Sequence, residues 1–187
     1  MFLQGNIEAY EGMQKEGGPK AKGRQRLIIG PWTHMGFAGL TGAKQGELTY
    51  PENMKYDVIS KAGGWLQECL SGKDGGFLKG PAVRYYVMGA AGEPGAPGNV
   101  WRKASGWPIP AKATPFYFHS DKTMSADAPG KTDKPLTFIS DPSNPVPTIG
   151  GANLDLPAGP RDQSPIEKRD DVLVFTTAPL DKPIEVT

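Results

Sequence analysis

Few residue types in this chain can do chemistry, and they are widely spaced. His34 and His119 are its two histidines and Cys69 its one cysteine. His34 follows the apolar run Leu27-Ile28-Ile29-Gly30 and the turn Pro31-Trp32-Thr33. A continuous apolar run that ends at glycine predicts a strand buried on both faces, as in a parallel sheet. Open α/β sheets place ligands and reacting groups just beyond the C-terminal ends of such strands. An imidazole there can take and return a proton near neutral pH, which makes His34 the candidate general base. The competing reading is a structural loop histidine.

The other candidates are weaker. His119 lies in Phe116-Tyr117-Phe118-His119 with no second histidine or acidic cluster nearby in sequence, so a structural edge position is expected. Cys69 falls on the apolar face of an expected helix, which predicts a buried, inert thiol. Two histidines and one cysteine leave no metal centre to expect, and no cofactor motif is present. Gly89, Gly92, Gly95 and Gly98 recur every third residue with Pro94 and Pro97 between them. That stretch is too short for a triple helix and lacks the lysine of a phosphate loop, so it reads as an inter-strand loop. Lys15, Lys20, Lys22, Arg24 and Arg26 crowd one segment, but no aromatic residue is interleaved for base stacking. A solvated connector is expected there.

Three elements must position His34. Asn6 to Lys15 predicts a short helix, with Ile7, Tyr10 and Met13 at spacing three and Asn6 as N-cap. The Leu27–Gly30 strand follows. Met54 to Ser71 predicts a second helix, whose apolar face is Val58, Ile59, Ala62, Trp65, Leu66, Cys69 and Leu70, closed by Gly72. After Gly80 the texture changes to short strands separated by turn residues. They are expected at Val83–Met88, Phe116–His119, Leu136–Ile139, Val172–Phe175 and Ile184–Val186. This spacing suggests an all-β sandwich or jelly roll. The proline-stiffened run from Asp141 to Thr148 reads as a rigid connector.

Composition agrees with that outline. The 187 residues contain 25 glycines and 19 prolines, which favours short strands and many turns over a helical bundle. Lys+Arg is 21 and Asp+Glu is 20, for a formal net charge of +1. Such a balance argues against nucleic acid or a polybasic membrane surface as partner. No apolar run approaches the roughly 18 residues of a membrane helix, and the N-terminus has no signal-peptide layout. Without disulfides the compartment stays open.

Leu27-Ile28-Ile29-Gly30-Pro31-Trp32-Thr33-His34 resembles the catalytic-histidine segment of the CocE/NonD hydrolases, which include α-amino-acid ester hydrolases and the X-Pro dipeptidyl-peptidase class. Four further segments agree in order. Trp65–Gly72 resembles the last helix of their hydrolase domain, and Val83–Gly89 with Trp101 and Trp107-Pro108 resembles the entry to their β-domain. Asp141-Pro142 through Gly151 is similar to a recurring linker. Gly159-Pro160-Arg161-Asp162-Gln163, followed by Glu167 to Leu173, is similar to the next such segment of the family.

The resemblance implies an α/β-hydrolase remnant over residues 1–80 (helix, strand, helix) and an incomplete all-β jelly-roll sandwich over residues 81–187. It also implies a Ser–Asp–His triad, of which only His34 maps onto this chain. No Gly-x-Ser-x-Gly pattern occurs. The family's acid commonly ends a Gly-Trp-Tyr-Asp-like segment just before a Phe-Leu-Gln-Gly-like one, here Phe2-Leu3-Gln4-Gly5. The chain is therefore expected to begin after the acid, to be a fragment of a longer hydrolase, and to be inactive alone. In the intact enzyme the partner would be a small-molecule ester or peptide substrate. Unpaired strand edges would favour a homo-oligomer. Met1, Phe2 and Leu3 supply none of the extra carboxylates of the α-amino-acid ester hydrolases. A second reading is a non-catalytic β-sandwich that binds carbohydrate, which would need exposed aromatics among Trp101, Trp107, Tyr85 and Tyr117.

Overall fold

A computed structural model describes residues 2–73, 75–154 and 156–186. The chain divides into two compact units. The first is Met1–Ile109 with Gly150–Arg161, and the second is Pro110–Ile149 with Asp162–Thr187.

The first unit is built on a three-stranded mixed sheet. β1 (Leu27–Ile29) pairs in parallel with β4 (Val83–Val87), and β4 pairs antiparallel with β5 (Val100–Ala104). The parallel strand expected from the apolar run is present, and its partner is the strand that opens the glycine- and proline-rich half. Gly89 to Gly98 joins β4 to β5, where Asn99 accepts the Gly89 N–H at 3.2 Å and donates to the Ala90 carbonyl at 3.0 Å. A small hairpin, β2 (Lys44–Gln45) with β3 (Leu48–Thr49), follows the histidine loop.

Helix α1 (Leu3–Lys15) starts earlier than expected, and Asn6 lies inside it rather than capping it. The Asn6 N–H donates to the Phe2 carbonyl at 3.0 Å, and Gln4 donates to Glu8 at 2.8 Å one turn on. These local bonds carry the first turn without a side-chain cap. Tyr10 and Ile7 lay the helix on the face of the sheet formed by Leu27, Ile29 and Val83. Full burial of a Leu or Val of this kind contributes about 1.5–3 kcal/mol.

Helix α2 (Val58–Ser71) starts later than expected, because Glu52–Met54 forms a 3₁₀ turn and Lys55 is extended. Asp57 caps it by accepting the Ser60 N–H at 3.0 Å. Gly72 closes it in the left-handed region at φ +66°, a conformation that costs glycine little. The expected apolar face is only partly covered: Ile59, Leu66 and Leu70 are exposed. Glu68 is the buried residue instead. Its carboxylate accepts the N–H groups of Phe77 and Leu78 at 2.9 and 3.3 Å, which ties the segment after the helix back to it.

The second unit carries little regular structure. β6 (Tyr117–Phe118) pairs with β7 (Met124–Ser125), Thr123 bridges to Thr176, and α3 (Ser164–Glu167) is one turn long. The strands expected at 136–139, 172–175 and 184–186 do not form ladders. Pro135 and Pro183 stand immediately before two of these runs and have no N–H to offer a ladder, and a strand without a hydrogen-bonded neighbour is not one. Arg169 organises this unit: it pairs with both Asp171 oxygens at 2.7 Å and donates to the Asn144 carbonyl at 2.7 Å. Among the described residues the chain is a mixture of helix and sheet with no closed barrel.

Candidate active site around His34

Everything that places His34 lies in the first unit. β1 ends at Ile29, and Pro31 has no N–H with which to continue the ladder. Gly30 is required by contact, because a Cβ there would enter the Trp32 ring. Trp32 anchors the loop as its size suggests: its indole N–H donates to the Met54 carbonyl at 3.0 Å and its ring packs on Trp101 at 5.8 Å. Trp101 also meets Tyr56 and Tyr86, and its N–H donates to the Asn53 carbonyl at 2.7 Å. The loop is therefore fastened to the aromatic cluster between β4, β5 and the 3₁₀ turn.

The second fastening is Gln45, which is 1 % exposed. Its Oε1 accepts both the Thr33 N–H and the Thr33 hydroxyl at 2.9 Å, and its amide nitrogen donates to the Gly42 carbonyl at 3.2 Å. No pattern in the sequence marks Gln45; its role exists only through the β2–β3 hairpin. After His34 the chain makes a short 3₁₀ turn and passes through Phe37 and Ala38, both left-handed at φ +43° and +57°. Non-glycine residues pay a steric penalty there, so the surrounding bonds must hold the turn. The Ala38 carbonyl accepts the Tyr56 N–H at 3.0 Å, and the Thr41 hydroxyl donates to the Met35 and Gly36 carbonyls at 3.3 Å.

His34 itself is exposed, and its ring stands edge-on to Phe2 at 5.4 Å. Among the described residues no carboxylate or hydroxyl hydrogen-bonds its imidazole. It borders a cavity of about 210 Å³ that also touches Thr33, Tyr50, Met88, Gly151 to Asn153 and Ala158 to Pro160. These last two stretches return to the histidine loop and are held closely. Gly151 and Gly159 exchange backbone bonds at 2.8 and 2.9 Å, and the Pro160 carbonyl accepts the Glu47 N–H at 2.9 Å. Gly159, at φ +90°, leaves room for the Thr33 methyl, which a Cβ would approach to 2.8 Å. Burial raises the Tyr50 phenol above its ordinary value, so it stays protonated, with its hydroxyl 3.3 Å from the Met88 sulfur. The cavity thus offers one imidazole, one neutral phenol and mostly apolar walls. The sequence marks the motifs around Gly151 and Gly159, but not their arrival beside His34.

His119 sits in the second unit. Its Nε2 is 2.9 Å from the Ser125 hydroxyl and its Nδ1 is 3.5 Å from Asp133. The Ser125 oxygen also accepts the Asp127 N–H at 3.2 Å, and Asp133 accepts the Gly130 N–H at 3.0 Å. These bonds pin the β6–β7 hairpin to the following turn, the structural role expected of this residue. Cys69 is partly buried on α2. No group of three or more His, Cys, Asp or Glu that could hold a metal ion is found among the described residues. Of the aromatics considered for sugar stacking, Trp101 is in the cluster described above, and Tyr85 and Trp107 pack against the Leu27–Val83 core.

Residues 76–187 match the model of the X-Pro dipeptidyl-peptidase C-terminal non-catalytic domain, and the chain belongs to that family. It is 33% identical to cocaine esterase from Rhodococcus sp. (strain MB1 Bresler) over 175 residues, 87% of this chain and 29% of that protein. It is 27% identical over 163 residues to a provisionally named serine esterase of Mycobacterium bovis (strain ATCC BAA-935 / AF2122/97). That match covers 86% of this chain and 24% of the relative, and the same figures hold for a protein of similar name in Mycobacterium tuberculosis (strain CDC 1551 / Oshkosh). The chain thus spans less than a third of the length of these relatives.

Proposed function

We propose that this chain is the histidine-bearing and C-terminal part of a serine acyl hydrolase that cleaves ester or amide bonds in small-molecule or peptide substrates. Residues 1–80 are the end of an α/β-hydrolase catalytic domain, and residues 81–187 are a jelly-roll C-terminal domain. The family match, which begins at residue 76, supports a division near this point. The esterase names of the relatives support acyl hydrolysis.

His34 carries the reading, because it stands past the C-terminal end of a parallel strand on a doubly fastened loop beside a cavity. As general base it takes the proton of a serine hydroxyl attacking the acyl carbon, and as general acid it returns that proton to the leaving group. A carboxylate on its other nitrogen would fix the tautomer and steady the imidazolium. The lack of a Gly-x-Ser-x-Gly pattern in the sequence, and of a carboxylate bonded to His34 among the described residues, supports a chain that is inactive alone.

The test is hydrolysis of p-nitrophenyl acetate by the 187-residue chain and by its His34→Ala variant. Equal rates are expected. Faster turnover by the unsubstituted chain, abolished by a serine-directed inhibitor, would show that it holds its own nucleophile and would overturn this reading.

A further inference from the structure

The first unit holds a second cavity, of about 350 Å³, between α2 and the face of the sheet carrying Ile28. Its lining includes the apolar Ile28, Trp65 and Phe77 and the cationic Arg26, Lys61 and Arg84. Among the described residues no carboxylate lines it. An apolar cavity with three positive charges and no negative one among its described lining has the composition of an anion site with an organic body.

None of these cations is in an ion pair with a described carboxylate. The Arg26 guanidinium donates to the carbonyls of Gly23, Gln25, Phe77 and Leu78, which orient it but leave its charge intact. Ile28, Arg84 and Lys103 lie side by side across β1, β4 and β5, so Arg84 and Lys103 form a like-charge cross-strand pair on one face. Like charges directly opposite one another destabilise a sheet. Among the described residues no Asp or Glu forms an ion pair with Arg26, Lys61, Arg84 or Lys103. Lys61 lies 5.8 Å from the centre of the Phe77 ring. Asp57 is near enough to feel its charge, but the Asp57 carboxylate caps α2 through Ser60. Trp65 is fixed by a 2.6 Å bond from its indole N–H to the Arg24 carbonyl, so one aromatic wall is preorganised.

We propose that this cavity binds an aromatic carboxylate. The ring takes the apolar walls of Trp65 and Phe77, and the carboxylate takes the charges of Arg84 and Lys61. A guanidinium can hold a carboxylate through two parallel bonds, and the cavity is at the small end of ligand sites, which suits one or two fused rings. The site is separate from the cavity at His34 and does not depend on the acyl-transfer reading.

The probe is 2-naphthoate, with the neutral 2-naphthylmethanol as its uncharged counterpart, titrated calorimetrically into the 187-residue chain at low salt. One equivalent of the acid should bind, at least about tenfold more tightly than the alcohol, as expected of a charge-assisted hydrogen bond. Added sodium chloride should narrow that gap. Arg84→Gln should weaken the acid at least about fivefold and leave the alcohol unchanged. The indole N–H resonance of Trp65, assigned with Trp65→Phe, should shift on addition of the acid. The proposal is overturned if acid and alcohol bind alike, if neither binds, or if the Trp65 resonance stays in place; these three need no substitution at Arg84. An unchanged affinity in folded Arg84→Gln overturns it too.

Discussion

Gln45 accepts two hydrogen bonds from Thr33, one from the backbone and one from the hydroxyl, both at 2.9 Å. The position of His34, the next residue, therefore depends on a fully buried amide in a hairpin that follows it in the chain.

Gln45→Ala would leave the Thr33 N–H without its acceptor in a site water reaches poorly, and the missing amide would open a void under Gly36. The expected cost is about 2–3 kcal/mol, read from urea unfolding of the chain. Thr33→Val removes only the hydroxyl bond and should cost about 1 kcal/mol. A Gln45→Ala chain as stable as the unsubstituted one would mean that the loop is held by Trp32 alone.

In the longer hydrolase proposed above, His34→Ala should lower kcat by about three orders of magnitude or more with little effect on folding. His119→Ala should leave kcat within a fewfold, because its bonds run to Ser125 and Asp133 in the other unit. Comparable losses for the two variants would reassign the catalytic histidine.

Asp57 gives the chain an acid-sensitive element. Hydrogen bonds from Ser60 hold its carboxyl below the ordinary value of 3.8, and the Lys61 charge adds to this. A carboxylate whose folded value is depressed contributes stability that is fully present above the unfolded value. That stability is lost as pH falls through the folded one. Asn caps helices about as well as Asp but does not titrate in this range. Below about pH 4 the melting temperature of the chain should therefore fall more steeply than that of Asp57→Asn. Parallel acid limbs in the two proteins would show that the cap does not titrate with folding.

Among the described residues β1 pairs with β4 on one side only, since the sheet order is β1-β4-β5. An apolar strand with one free edge invites pairing with another chain. Sedimentation velocity should show association that grows with protein concentration. A monomer at every concentration, melting in one sharp transition, would count against this.

Local sequence determines a good deal here. The run Leu27-Ile28-Ile29 closed by Gly30-Pro31 makes a buried strand with a defined end, because apolar continuity and a missing N–H act over a few residues. The histidine after that end, the Trp32 anchor and the Gly72 stop of α2 follow from the same short range. Tertiary structure alone decides which partners complete the site. Thr33 meets Gln45 twelve residues on, and Glu47 meets Arg161 across 114 residues. A glutamine or a glutamate looks like a surface residue in any short window, yet Gln45 and Glu68 are buried because distant backbone N–H groups need acceptors. The strands expected at 136–139, 172–175 and 184–186 fail for the complementary reason. Apolar residues propose a strand, but only a neighbouring backbone with free hydrogen-bonding groups makes one.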